Sequence, residues 1–361
     1  MLDNNKVLDL LRKVVNPNTG KNIVEDGNMH DYQVRDNRVS FTIVLHPSED
    51  NLKMLYSAEA EQAVKTQYPD AEVLITFKKQ QQTSSSPLPQ VKNVIAIASG
   101  KGGVGKSTIS SNLAIALSQM GLKVGLMDAD LYGPSMPTML GLRGERPQIR
   151  KVADKPKMVP IEKYGIHTIS IGYLLEEEQA VVLRGPRLGG IIKQFIYDTL
   201  WPELDIMIID LPPGTGDIQL TLVQTLPLTG ALMVTTPQQV AVADAYKAMN
   251  MFRLPNVNVP ILGVVENMSW FTPAELPDNK YHLFGKGGGE KLAKLGESQL
   301  IGQVPLVQSV GQGGDSGQPA VTQESNLAKP YFEKIASAFI DQLNARNESL
   351  PHSEIVKITT G

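Results

Sequence analysis

The sequence predicts an α/β fold: a mostly parallel sheet covered by helices on both faces, preceded by a small α/β domain. Three observations carry that expectation. Short β-branched, apolar runs recur at 94–98, 123–127, 206–209, 231–234, 261–265 and 301–304, separated by stretches of helical periodicity. Strands buried on both faces read as such near-continuous runs. A Gly-rich stretch, 100–105, joins the first run to a helical stretch at 106–119. Residues 79–90, KQQQTSSSPLPQ, have no apolar periodicity and close on two prolines, so they read as a linker. The expected division is a small domain at 1–78, a linker at 79–92, the main domain at 93–346 and an unassigned tail at 347–361.

Within the small domain, Val7, Leu10, Leu11 and Val14 fall at helical spacing, 39–45 alternates like a strand, 58–67 reads as helix and 71–77 as a second strand. It carries no obvious catalytic residues. The last helix of the main domain spans 328–345, with Phe332, Ile335, Phe339 and Leu343 on one side. A membrane-surface helix needs a basic polar face. Glu333 and Asp341 offset Lys334 and Arg346, so this helix is expected to pack on its own domain.

Composition narrows the function. Of 361 residues, 42% are apolar and 20% charged, as in ordinary globular chains, and the formal charge of −3 argues against a dedicated nucleic-acid partner. No cysteine occurs, which removes disulfides, cysteine nucleophiles and thiolate metal sites together. The first residues lack a signal-peptide pattern and no run of 18 apolar residues exists to span a bilayer. A cytoplasmic location without stable membrane association is the expectation.

Gly100, Lys101, Gly102, Gly103, Val104, Gly105, Lys106 and Ser107 satisfy G-x-x-x-x-G-K-[ST] between a predicted strand and a predicted helix, the context that this motif requires. Glycines let the backbone turn its N–H groups toward phosphate oxygens, and the helix start adds partial positive charge. Lys106 is expected at the β- and γ-phosphates, Ser107 at Mg²⁺, and Thr108 completes the nucleotide-binding stretch. Lys101 points away from its own cradle and is placed to meet a nucleotide held by a facing subunit; the alternative is a solvated loop charge.

Two acidic sites follow strands. Met127-Asp128-Ala129-Asp130 offers carboxylates two residues apart; Asp130, further out, is assigned to the attacking water and Asp128 to the metal shell. Asp210 ends the apolar run 206–209 and precedes the Gly- and Pro-rich loop 211–217, so it is assigned to Mg²⁺. Asn267 is either an adenine-edge partner, its amide offering donor and acceptor, or a turn-forming residue. Bland readings go to 287–289 as a flexible glycine loop, to 176–178 as a solvated helix start, and to the five histidines, which lack metal-ligand spacing.

The extra Lys101 in the loop resembles the deviant P-loop of the MinD and ParA class of ATPases, in which that lysine acts across a nucleotide-sandwich dimer. The runs 128–141 (DADLYGPSMPTMLG), 184–195 (RGPRLGGIIKQF), 210–217 (DLPPGTGD), 265–271 (VENMSWF) and 313–319 (GGDSGQP) together resemble the Mrp/ApbC family of P-loop NTPases. The first domain, with 16–20 (NPNTG), looks like the SufT-like unit fused to many of its members. The resemblance implies ATP and Mg²⁺ as cofactors, a homodimer, and transfer of iron-sulfur clusters from scaffold proteins to apoprotein clients.

One departure bears on the cargo. Members with a bridging cluster hold it through a Cys-x-x-Cys shortly after the VENMS-x-F segment, where this chain reads FTPAELP at 271–277. Glu275, Asp278 and His282 are poor replacements for soft thiolates, so no iron-sulfur ligands are identifiable. Gly311 stands where relatives commonly have Arg. Three readings follow: iron-sulfur maturation with the cluster ligands supplied from elsewhere, a ParA/MinD-like switch or scaffold with a protein cargo, or a nucleotide-binding module with little turnover.

Overall fold

The computed structural model describes residues 2–15, 17, 22–24, 29–45, 52–79, 87–152, 154–174, 185–255, 257–273, 275–276, 278–351 and 353. The chain divides into two units, Met1–Ser85 and Ser86–Gly361. The acidic run 176–178 and residues 80–86 of the linker lie outside the described residues.

In the first unit α1 (Asn4–Leu11) and α2 (Lys53–Lys65) accompany a sheet of β1 (Met29–Arg35), β2 (Arg38–Leu45) and β3 (Glu72–Lys79), ordered β1-β2-β3. Asp3 caps α1, its carboxylate accepting from the Asn5 and Lys6 amides. Val7, Leu11, Val39, Phe41, Ile43, Tyr56 and Val64 form its core. The β2–β3 pair is parallel and β1 joins β2 antiparallel. Strand β1, MHDYQVR, has no fully buried side chain, which is why apolar periodicity does not reveal it.

The second unit is built on eight strands in the order β13-β12-β11-β4-β10-β5-β9-β8. These are β4 (Val91–Ser99), β5 (Val124–Asp128), β8 (Ile161–Lys163), β9 (Ile166–Ser170), β10 (Leu204–Asp210), β11 (Gly230–Thr235), β12 (Ile261–Phe271) and β13 (Leu300–Leu306). All neighbours are parallel except β8, which turns back antiparallel on β9. A separate hairpin, β6 (Ile149–Val152) and β7 (Lys155–Met158), lies outside that sheet.

Helices cover both faces, as expected. Val94, Ala96 and Ala98 of β4 join one apolar layer with Phe195 of α5 (Gly185–Tyr197), Leu222 of α6 (Asp217–Thr225) and Phe252 of α7 (Gln239–Arg253). Ile95 and Ile97 point into the other, with Leu113 of α3 (Lys106–Gln119) and Phe332 and Phe339 of α10 (Lys329–Ser349). Each fully buried Ile contributes about 1.5 to 3 kcal/mol relative to exposure, so the central strand is held from both sides. Short α4 (Met136–Met139) and α9 (Gln308–Asp315) complete the rim. Helix α10 packs on the domain with Phe332, Ile335, Phe339 and Leu343 inward, as its charge pattern requires.

One reading is corrected. The glycines at 287–289 are no flexible loop: α8 (Gly288–Leu295) starts there, Gly288 and Gly289 are buried, and the Gly289 N–H donates to Glu266 Oε2 at 2.6 Å. Glu266 of β12 supplies the negative charge that this helix start accepts, and Gln303 Nε2 donates to its other oxygen at 2.7 Å. Nothing in the local sequence announces a partner 23 residues away.

Candidate functional site

The carboxyl ends of β4, β10 and β5 lie side by side, Asp210 in register with Ile97 on one side and Asp128 on the other. Parallel α/β sheets gather ligands at this edge. Strand β4 runs into Gly100, where a Cβ would collide with the backbone of Asp244 in α7. Gly103 and Gly105 take φ of 80° and 83°, left-handed values that glycine adopts freely. Helix α3 then begins at Lys106 with no side-chain cap on its first N–H groups. Such a start is suited to an anion.

Lys106 is 6% exposed, yet its Nζ lies 2.9 Å from Asp210 Oδ2 and 3.6 Å from Asp130 Oδ2. Asp210 is fully buried and accepts from Ser107 Oγ and Ser110 Oγ, each at 2.6 Å. Ser110, one turn beyond Ser107 on α3, is a member of the cluster that sequence reasoning passes over. Thr108 lies in the same first turn. The cluster thus unites Lys106, Ser107, Asp130 and Asp210 around hard oxygen donors, a set that fits Mg²⁺.

Asp128, in register beside Asp210 on the neighbouring strand, has hydrogen-bond partners of its own. Its carboxylate accepts from Ser170 Oγ at 2.9 Å and from the amides of Met136 (3.3 Å) and Asp130 (3.1 Å). Burial, reinforced by the charge of Asp210, pushes its pKa up from 3.8 to about 7. Burial also raises Asp130, against the pull of Lys106. Because Asp128 ionises at higher pH folded than unfolded, the unfolded chain loses its proton first. This site's contribution to stability therefore declines from about pH 4 to about pH 7 and stays at its floor above that. Without nucleotide, the melting temperature should drop from pH 5 to pH 8, and Asp128→Asn should reduce the drop. Equal slopes in the two proteins would remove Asp128 as its source.

The loop after Asp210 is tied to the cradle. Gly214 N–H donates to Ser99 O at 2.9 Å, and buried Gln219 Nε2 donates to the carbonyls of Pro212 (2.8 Å), Pro213 (3.3 Å) and Gly214 (3.1 Å). Gln219 has no sequence signal; only folding shows that one amide gathers three loop carbonyls.

Lys101 Nζ rests 3.2 Å from Gln238 Oε1, away from the carboxylate cluster. Asn267 is buried, and its Nδ2 donates to Val104 O at 2.9 Å. Gly311 sits in α9 with open space around it. At the end of β12, Phe271 bridges Tyr281 and Ser269 O meets His282 Nδ1 at 3.0 Å, and beyond the strand Glu275 and Asp278 are exposed. Among the described residues no group of three His, Cys, Asp or Glu side chains is placed to hold a metal ion. No described helix is long and apolar enough to cross a membrane.

Comparison with known proteins agrees with this geometry. A family model described as NUBPL iron-transfer P-loop NTPase matches residues 90–340, and one described as iron-sulfur cluster assembly protein matches residues 4–75. An iron-sulfur cluster carrier protein of a Synechocystis species is 46% identical over 333 residues, covering 91% of this chain and 94% of that protein. Its Escherichia coli K12 namesake is 43% identical, covering 85% and 82%. A nucleotide-binding protein from Archaeoglobus fulgidus, solved with ADP, superposes with a TM-score of 0.57 at 34% identity, over 68% of this chain and 93% of that one. The cell division ATPase MinD of Pyrococcus furiosus, at 23% identity and a TM-score of 0.51 over 69% and 99%, shares the fold. The resemblance read from the motifs is thereby met, and the chain belongs to the NUBPL iron-transfer P-loop NTPase family.

Proposed function

We propose that this chain is a Mg²⁺-dependent ATPase that drives a step of iron-sulfur cluster assembly, with the thiolates that hold the cluster supplied by a partner protein. The observation that carries the reading is an intact phosphate cradle, with Lys106, Ser107, Asp130 and Asp210 gathered at one sheet edge, in a chain without cysteine. The relatives named iron-sulfur cluster carriers supply the process.

In this reading the Lys106 ammonium and the amides of Gly102 to Ser107 receive the β- and γ-phosphates. Ser107 Oγ and Asp210 would hold Mg²⁺, which when bound neutralises phosphate charge. Asp128 acts on that site by its charge beside Asp210. Asp130, at the rim, orients the attacking water, and Lys101 reaches a facing subunit of a homodimer. The loop held by Gln219 and Ser99 is the segment that responds to the γ-phosphate.

The donor set does not fit a self-held cluster. Soft thiolates bind iron-sulfur clusters; exposed carboxylates and a His282 already engaged with Ser269 O do not replace them. Protein purified without air and treated with iron and sulfide should stay colourless alone. It should hydrolyse Mg-ATP and speed cluster delivery when a cysteine-bearing scaffold and an apoprotein are added. Stoichiometric iron and sulfide on the isolated chain would sink the partner-held cargo, and absence of Mg-ATP hydrolysis would sink the ATPase. The missing thiolates favour one second reading, an ATP-driven switch whose cargo is a protein. It is preferred if scaffold is captured in an ATP-dependent way but delivery is not accelerated.

A further inference from the structure

We infer that Asn267 is a positioning residue for the phosphate-binding loop, fixing the loop's shape before any nucleotide arrives; this deepens the nucleotide-site reading above and rests on it. Observations on the loop and on the strand converge on the role. Asn267 is 6% exposed, and its Nδ2 donates to Val104 O at 2.9 Å across a sequence separation of 163 residues. In a planar trans peptide the Val104 carbonyl and the Gly105 N–H point in opposite directions. Drawing the carbonyl to β12 therefore turns the Gly105 N–H away from β12, and that N–H has no acceptor among the described residues.

Gly105 and Asn267 interlock. A Cβ on Gly105 would lie 2.1 Å from Asn267 Nδ2 and would push the amide off the loop, and the φ of 83° favours glycine besides. On the strand side, Met268 adopts φ of 56°, an uncommon state for a long side chain. The β12–β13 register also shifts between Asn267 and Phe271. Irregularities of this kind re-aim a side chain and persist where the surroundings enforce them. Here the side chain re-aimed is the one that grips the loop. The Asn267 oxygen is not consumed by this bond, so a contact with a base edge and the grip on the loop are compatible.

A base-reading role and a loop-holding role differ on a ligand that has no base. Asn267→Ala and Asn267→Ser should weaken binding of Mg-ATP and of magnesium tripolyphosphate by the same factor, on the order of tenfold, since a buried carbonyl loses its donor. In nucleotide-free protein, amide exchange across 103–110 should quicken by a similar factor while the melting transition stays cooperative. If the variants lose affinity for ATP alone, and exchange in the loop is unchanged, Asn267 reads the base and the inference fails with the nucleotide site intact. If wild-type protein binds neither Mg-ATP nor tripolyphosphate, the nucleotide reading itself fails. Should the wild type take ATP but not tripolyphosphate, the exchange measurement decides: unchanged exchange overturns the inference.

Discussion

Replacing Lys106 with Ala should weaken Mg-ATP binding by about 10³- to 10⁴-fold, because two charge-assisted bonds to phosphate at about 2 to 3 kcal/mol each are lost together. The loss is large because of what surrounds the lysine. Its ammonium lies 2.9 Å from Asp210 and 3.6 Å from Asp130, and the charge of Asp128 is close enough to be stabilised by it. Without the lysine, a polyanionic ligand meets three carboxylates with the Lys106 ammonium no longer there to offset them. The nucleotide-free variant should also respond to pH more steeply than the wild type. Buried carboxylates that lose a cation bind protons more tightly, so stability contributed by their protonated forms is present at low pH and lost as pH rises through the raised pKa values. Calorimetric titration measures the affinity, and thermal melting at pH 5 and pH 8 measures the second effect. An affinity within tenfold of wild type would mean that the triphosphate is held elsewhere.

The same cluster shows where sequence reasoning reaches and where it stops. The loop and α3 were legible because their signals are local: glycine spacing, a strand before, a helix after, with observed bounds at Lys106 and Gln119. The parallel sheet was legible because strands such as β4 are covered on both faces and therefore apolar throughout. Strand β1 was not, since its polar residues pair along an edge and bury little. The edge strand β8 and its neighbour β9 are short and joined through Tyr164 and Gly165, both at positive φ, so they resemble a turn with flanks.

In the site, residue types were legible but pairings were not. Asp210 ends a strand and is recognisable alone, whereas its bond to Ser110 spans 100 residues and exists only after α3 packs beside β10. Asn267 illustrates the same gap. Its amide is equally suited to a base or a carbonyl, and only the fold places Val104 O within its reach. Gln219 and Glu266 are ordinary polar letters in the sequence, and burial turns each into a fastener for a neighbouring loop or helix start.

Lys101→Ala is the complementary experiment to Lys106→Ala, and the two lysines should separate cleanly. Turnover should fall by about 10³-fold, the lower end of what a cation supplied across an interface provides to phosphoryl transfer, since an ammonium lacks the fork geometry of arginine. Affinity for Mg-ATP should change only a few-fold, because Lys101 Nζ rests on Gln238 Oε1 at 3.2 Å and makes no contact with the carboxylates of its own cradle. Leaving Gln238 costs about 1 kcal/mol, an ordinary hydrogen bond, so the lysine is readily released to a facing subunit. Mixing provides the decisive arm. Lys101→Ala and Lys106→Ala proteins, each inactive alone, form mixed dimers in which one site combines an intact Lys106 with a Lys101 from the other subunit. Random pairing should restore up to about a quarter of wild-type turnover, as symmetry between the two half-sites requires. If mixing restores nothing while Lys101→Ala alone is inactive, the lysine works within its own subunit. If Lys101→Ala turns over normally, it is a solvated loop charge with no part in the chemistry.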